Sequence, residues 1–364
     1  MKTKYVRDMA IGVFLLITST LDLNAQLLQN KVAFSAAKQN IDLIYNADFK
    51  HAHLLFDSIK KTYPSSPIVY LLHGIMTYWE NFPLLSTSAA HISFVNDVNH
   101  SIALSQKNSN PEFASENLLS NLCARGMLLT YYADNNMTIK AIPLTTSTYS
   151  YLMRAFDVAS DYADLRYFTG VYNYYREAYP EKHPVYKYLA FALKHGNMEM
   201  GLNELKLAGK NSIVLSAESY SRLSWIYLNM EHNYTEAMFY SRLLFEKYPQ
   251  NEYYKFTYIH NLLLVQQYNQ AEELLSRIAK DSLNNYFKAQ LQILNGVLQE
   301  KKYGNLNLAE KYYNDGIRAI SIYNAYGEDY IDHANLGLKN ISQAKVKNES
   351  IHSNQSKSIN LAGF

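Results

Sequence analysis

In "FKHAHLLFDSIKKTYP", residues 49–64, apolar and small side chains fall at Phe49, Ala52, Phe56 and Ile59, and Pro64 closes the run. These offsets share one face of a helix, so the stretch predicts an amphipathic helix with a single buried stripe. The same pattern recurs in "YTEAMFYSRLLFEKYP" at Tyr234, Ala237, Ser241, Leu244 and Pro249. Shifted by 34 residues it returns at Tyr268, Ala271, Leu275 and Ile278, and Met198, Gly201, Leu205 and Ala208 fit it without a proline. The small residue lets a partner helix approach closely, and the larger ones fill the groove beside it. Proline stops the helix because it cannot donate the backbone bond that the next turn needs.

Each of these helices follows a segment with a stripe of its own. "YLLHGIMTYW" carries Tyr70, His73 and Gly74, and "YSRLSWIY" carries Tyr220, Leu223, Ser224 and Tyr227. "VYKYLAFALKHGN" carries Val185, Tyr188 and Leu189, with Gly196 in the following turn. Leu291 and Leu294 stand in the same relation to Ala309 and Tyr313. Paired helices at this period resemble the tetratricopeptide repeat, and the resemblance covers residues 34–80 and 182–318. It implies an all-α fold, a right-handed superhelical solenoid of antiparallel helix pairs. Residues 81–181 depart from the consensus and read as degenerate repeats with longer loops. The repeat domain is expected over residues 26–343, with residues 344–364 as a flexible polar tail that lacks any periodic stripe.

The first 25 residues do not belong to this pattern. Lys2, Lys4 and Arg7 precede an apolar run over residues 9–21, and Ala25 offers a small residue for cleavage. That is the layout of a secretory signal peptide, and it predicts a periplasmic or secreted protein. The run is too short for a membrane span, and no later segment is long and apolar enough for one. No cysteine follows the run to carry a lipid; the sole cysteine, Cys123, sits among apolar residues and reads as a buried, inert thiol. The formal charge of +2 becomes +1 without residues 1–25, which gives no electrostatic reason to expect nucleic acid.

No phosphate-binding loop, nucleophile elbow, HExxH helix or CxxC pair occurs, so no catalytic residue, metal ligand or cofactor is expected. His51 and His53 point to different sides of a helix. Asp329 and His333 share a helix face, as do Glu328 and Asp332, but acids at a helix start are accounted for by its dipole. Asp157, Asp161 and Asp164 read as a solvent-facing row. The 33 tyrosines are the unusual feature. Many occupy stripe positions, where a half-buried ring fills a repeat interface.

In a tetratricopeptide arrangement certain positions of each first helix face the concave groove. The resemblance assigns Tyr186, Trp225, Tyr253, Phe256 and His260 to that face, with Leu71, Ile75 and Tyr78 nearer the N-terminus. An aromatic groove of this kind suits a protein or peptide partner. A glycan or small molecule bound for an envelope transport system is the alternative, for which Asn229 beside Trp225 is a hint. An enzyme centred on residues 328–333 is a third reading.

Overall fold

The structure, a computed structural model, describes residues 27–28, 30–182 and 193–361, with residues 281, 324 and 348–361 described by their backbone alone. The signal-like segment over residues 1–25 and the positions Val185, Tyr186, Tyr188 and Leu189 lie outside the described residues. The described chain is all-helical, with fifteen α-helices and no strand. They are α1 (Lys31–Tyr45), α2 (Phe49–Thr62), α3 (Pro67–Glu80), α4 (Ala90–Lys107), α5 (Ala114–Asp134), α6 (Thr138–Val158), α7 (Leu165–Lys182) and α8 (Met198–Asn211). Then follow α9 (Ser216–Asn229), α10 (Tyr234–Lys247), α11 (Glu252–Leu264), α12 (Tyr268–Ser276), α13 (Asn285–Lys301), α14 (Leu306–Ile320) and α15 (Glu328–Leu361).

Helix starts are set by local capping, which explains part of the asparagine content. Asn30, Asn197, Asn233, Asn284 and Asn305 each accept a hydrogen bond from a first-turn amide of α1, α8, α10, α13 and α14, at 2.8–3.2 Å. Asp48 does the same for α2 through the amide of His51. Pro64 and Pro249 stand just beyond the ends of α2 and α10, where the sequence pattern puts the stops.

The chain divides into two compact units, the first made of Met1–Glu231 with Glu246–Asn251, the second of His232–Phe245 with Glu252–Phe364. In the first unit, consecutive helices from α1 to α9 pack on one another, and α1 also packs on α3 and α3 on α5. In the second, α11 to α15 repeat the scheme, with α11 on α13 and α13 on α15. These next-but-one contacts group α1, α3 and α5 in the first unit, and α11, α13 and α15 in the second.

The stripe residues are where periodicity expects them. Ala52, Ala237, Ala271 and Ala309 have no exposed surface, and Phe56, Leu205, Leu244 and Leu275 are buried beside them. The closest approach is between α7 and α8. A Cβ on Gly201 would stand 2.6 Å from the Tyr174 amide nitrogen and 2.7 Å from the Gly170 carbonyl oxygen, both backbone atoms. Only glycine fits there.

Two expectations do not hold. Tyr234, the first stripe position of α10, is 41% exposed, because it stands in the opening turn. Asp164 is buried: its Oδ1 accepts from the amides of Val214 and Leu215 at 2.8 and 2.9 Å, and its Oδ2 from Ile213 at 3.1 Å. It caps the approach to α9 from a distant part of the chain. Helix α15 runs from Glu328 through Leu361. Its first turns are anchored by the buried Tyr330, Ala334 and Ile341.

Candidate functional site

Helix α9 is packed on one side by Ser219, Leu223, Ile226 and Tyr227, all buried. Glu218, Arg222, Trp225 and Asn229 follow one another at spacings of four, three and four, which lines them up on a face away from that core. Each of the four is only half-buried. Rings from neighbouring helices of the same unit stand over this strip. Tyr175 of α7 lies 6.3 Å from Trp225 between ring centroids, tilted by 44°. The Tyr45 hydroxyl of α1 donates to Glu218 Oε1 at 3.2 Å, and the Tyr45 ring meets Trp79 edge-on at 5.8 Å.

The electrostatics of the strip are those of a recess. Burial disfavours the carboxylate of Glu218 and raises its pKa, opposed by Arg222 and by the bond from Tyr45. Burial alone would lower the pKa of Arg222, but the adjacent phenols of Tyr167 and Tyr175 outweigh it and the net shift is upward. Burial also raises both phenols, with Arg222 pulling them back. These groups keep surface that solvent reaches and are nevertheless strongly desolvated, as happens when side chains line a pocket wall. The Arg222 guanidinium donates to the phenol oxygens of Tyr167 and Tyr175, and among the described residues Arg222 Nε and Asn229 Nδ2 are buried atoms without a hydrogen-bond partner. Native proteins leave few such atoms, and two of them lie on this strip.

The end of α1 is tied down on the same side. Tyr248 donates to Asp42 at 2.8 Å, Asn251 to the Tyr45 carbonyl at 2.8 Å, and Lys247 pairs with Asp42 at 3.1 Å. These bonds fix Tyr45 over Glu218. Deeper in the unit, Leu27 is fully buried and the Leu28 amide donates to Glu116 Oε2 at 3.0 Å, while the Ser66 hydroxyl donates to Oε1 at 3.4 Å. Burial pushes the Glu116 carboxyl up to about 7 against the pull of those donors. Cys123 is buried and its thiol is held well above the usual range by desolvation, so it is unreactive.

Of the residues that the sequence assigns to a groove, Tyr186 lies outside the described residues and Trp225 stands in the α9 strip. Tyr253, Phe256 and His260 belong to the second unit. Tyr253 is half-buried beside Tyr254, at 5.7 Å between rings. Phe256 has no exposed surface and packs on Phe287 at 5.3 Å. His260 is buried, stacks on Tyr330 at 5.1 Å and meets His333 Nδ1 through Nε2 at 2.6 Å. Phe256 and His260 are therefore core residues of α11 and offer no wall to a partner. Burial lowers the pKa of both histidines, so the pair is neutral, one ring donating to the other. His333 thus faces another imidazole and not the acids that share its helix, and no cluster of three metal-binding side chains occurs among the described residues.

Sequence reading missed Glu218, Arg222, Tyr167, Tyr175 and Tyr45. The spacing of Glu218 and Arg222 on α9 was readable as a polar stripe, but such a stripe reads as solvent-facing until Tyr45, Tyr167 and Tyr175 of other helices are seen beside it. No protein-family model matches the chain, and no curated protein matches it in sequence.

Proposed function

We propose that this chain is an exported interaction scaffold of the tetratricopeptide type, without catalysis of its own, which holds a protein or peptide partner against the first helices of its pairs. The observation that carries the reading is Trp225. A large ring half-exposed in a desolvated strip, faced by a second ring and flanked by an arginine and an asparagine, has the composition of a binding hot spot. Support for the repeat architecture comes from the shared offset of Ala52, Gly201, Ala237, Ala271 and Ala309, all buried, and from contacts between next-but-one helices. In such an architecture the stacked pairs wind into a right-handed superhelix whose first helices line the inside. Export rests on the basic and apolar layout of residues 1–25.

A second reading, a glycan or small-molecule binder, draws support from the Tyr45 hydroxyl bonded across to Glu218, which narrows the space over the strip. A polypeptide needs an open track, whereas a small ligand needs only a recess. The test is recovery of proteins with the mature chain and with its Trp225→Ala variant from the same cell envelope. A partner retained by the first and lost by the folded second supports the scaffold. A partner set indifferent to the variant moves the function to another surface.

A further inference from the structure

We infer that the His260–His333 pair is a proton-sensitive clasp between α11 and α15, and that mild acid opens it, releasing α15 from the faces of α13 and α14 on which it lies. The clasp belongs to the second unit and does not depend on the function proposed above.

The geometry sets a proton count. His260 Nε2 and His333 Nδ1 stand 2.6 Å apart, so one hydrogen fits between them and two do not. Two neutral imidazoles meet that condition, with one ring donating and the other accepting. A ring that takes up a proton carries a hydrogen on both nitrogens. When both rings do so, two N–H groups confront each other across the contact. His260 is 6% exposed and stacked on Tyr330 at 5.1 Å, so a charge on it forfeits most of its hydration. Burial lowers the pKa of both rings, and His333 lowers that of His260 further.

The groups around the pair do little to offset such a charge. Glu300 of α13 draws His333 upward, but it is already engaged by the Lys301 ammonium at 2.6 Å and the Tyr313 hydroxyl of α14 at 2.7 Å, and Lys301 draws His333 back down. Tyr253 of α11, Tyr286 of α13, Tyr323 ahead of α15 and Tyr330 of α15 are phenols, which are neutral in acid. The acids at the start of α15, Glu328, Asp329 and Asp332, are exposed. Elsewhere α15 docks through small and apolar groups: Ala334 and Ile341 are buried, and a Cβ on Gly337 would stand 2.5 Å from the Tyr313 ring.

An imidazole lowered in the docked state contributes stability that is present in full above its unfolded value of 6.5 and is lost as pH falls below it. Opening takes up one to two protons, so the opening constant rises about 10- to 100-fold between pH 7 and pH 5.5, above the range in which ordinary carboxylates titrate. Hydrogen exchange of the mature chain, read by mass spectrometry and corrected for the chemical rate at each pH, measures it. Protection over residues 328–347 should fall by that factor, while protection in α1–α5 holds or rises, because Glu116 titrates in the opposite sense. His333→Gln, which keeps a hydrogen-bonding partner for His260, should limit the fall to about tenfold or less. Replacing both histidines by glutamine should limit it to less than about threefold. If the variants do not fold, the unaltered chain decides by whether the fall is selective for α15. Unchanged protection in α15, a loss in every helix together, or a fall that survives in the double variant overturns the inference.

Discussion

Glu116 has almost no surface and accepts from the Leu28 amide and the Ser66 hydroxyl, yet its carboxyl is raised to about 7 because burial outweighs those bonds. A carboxyl raised above its unfolded value of 4.5 binds its proton more tightly in the folded state. Its contribution to stability is present in full below pH 4.5 and is lost as pH rises through about 7. Between those limits the loss is on the order of 3 kcal/mol. Glu116→Gln keeps an acceptor for Leu28 and removes the charge, so it should stabilise the protein at pH 8 and flatten this part of its pH profile. Denaturant unfolding of both forms at pH 5 and pH 8 measures the difference. Asp164 is likewise raised by burial, against the pull of three amides ahead of α9 that its carboxyl accepts from. Asp164→Ala should cost roughly 2–4 kcal/mol, since two buried amides and a partly buried one lose their acceptor at once. Neither role was legible beforehand. The capping partners of Asp164 lie some fifty residues away in the chain, and the neighbouring Asp157 and Asp161 make it look like part of a solvent row.

At the scale of elements the sequence was far more readable, because the stripe that defines a helix is local. Ala52, Ala237 and Ala271 mark helix faces that are fully buried, and Pro64 and Pro249 mark stops. Asn233, which sits in a glycosylation-like triplet, turns out to cap α10. Helix interfaces give two stability predictions. Gly201→Ala drives a methyl into the backbone of α7, and with no flexible side chain to move aside it should destabilise by about 2–3 kcal/mol. Ala237→Leu overpacks a site with no free surface and should cost roughly 1–3 kcal/mol. Urea unfolding of each variant is the check, and a neutral outcome at both positions would mean that neither interface is as close as described.

For the whole molecule, periodicity yields the all-α class directly, and circular dichroism of residues 26–364 should be dominated by helix with little strand. The candidate site was legible only in part. Trp225, which the resemblance assigns to a groove position, is half-buried on the α9 strip, whereas Phe256 and His260, assigned by the same rule, are buried. A repeat consensus says which side of a helix a residue occupies; it does not say what the next helix lays over it. The central claim, that the α9 face holds a partner, is tested most directly by titrating a recovered and purified partner against the mature chain and its Trp225→Ala variant, with helical content recorded on the same samples. Truncating a central ring of a hot spot typically costs 2 kcal/mol or more, so the account predicts about 30-fold weaker binding with the helical spectrum unchanged. Equal affinity in a folded variant, or an unfolded variant, would contradict it.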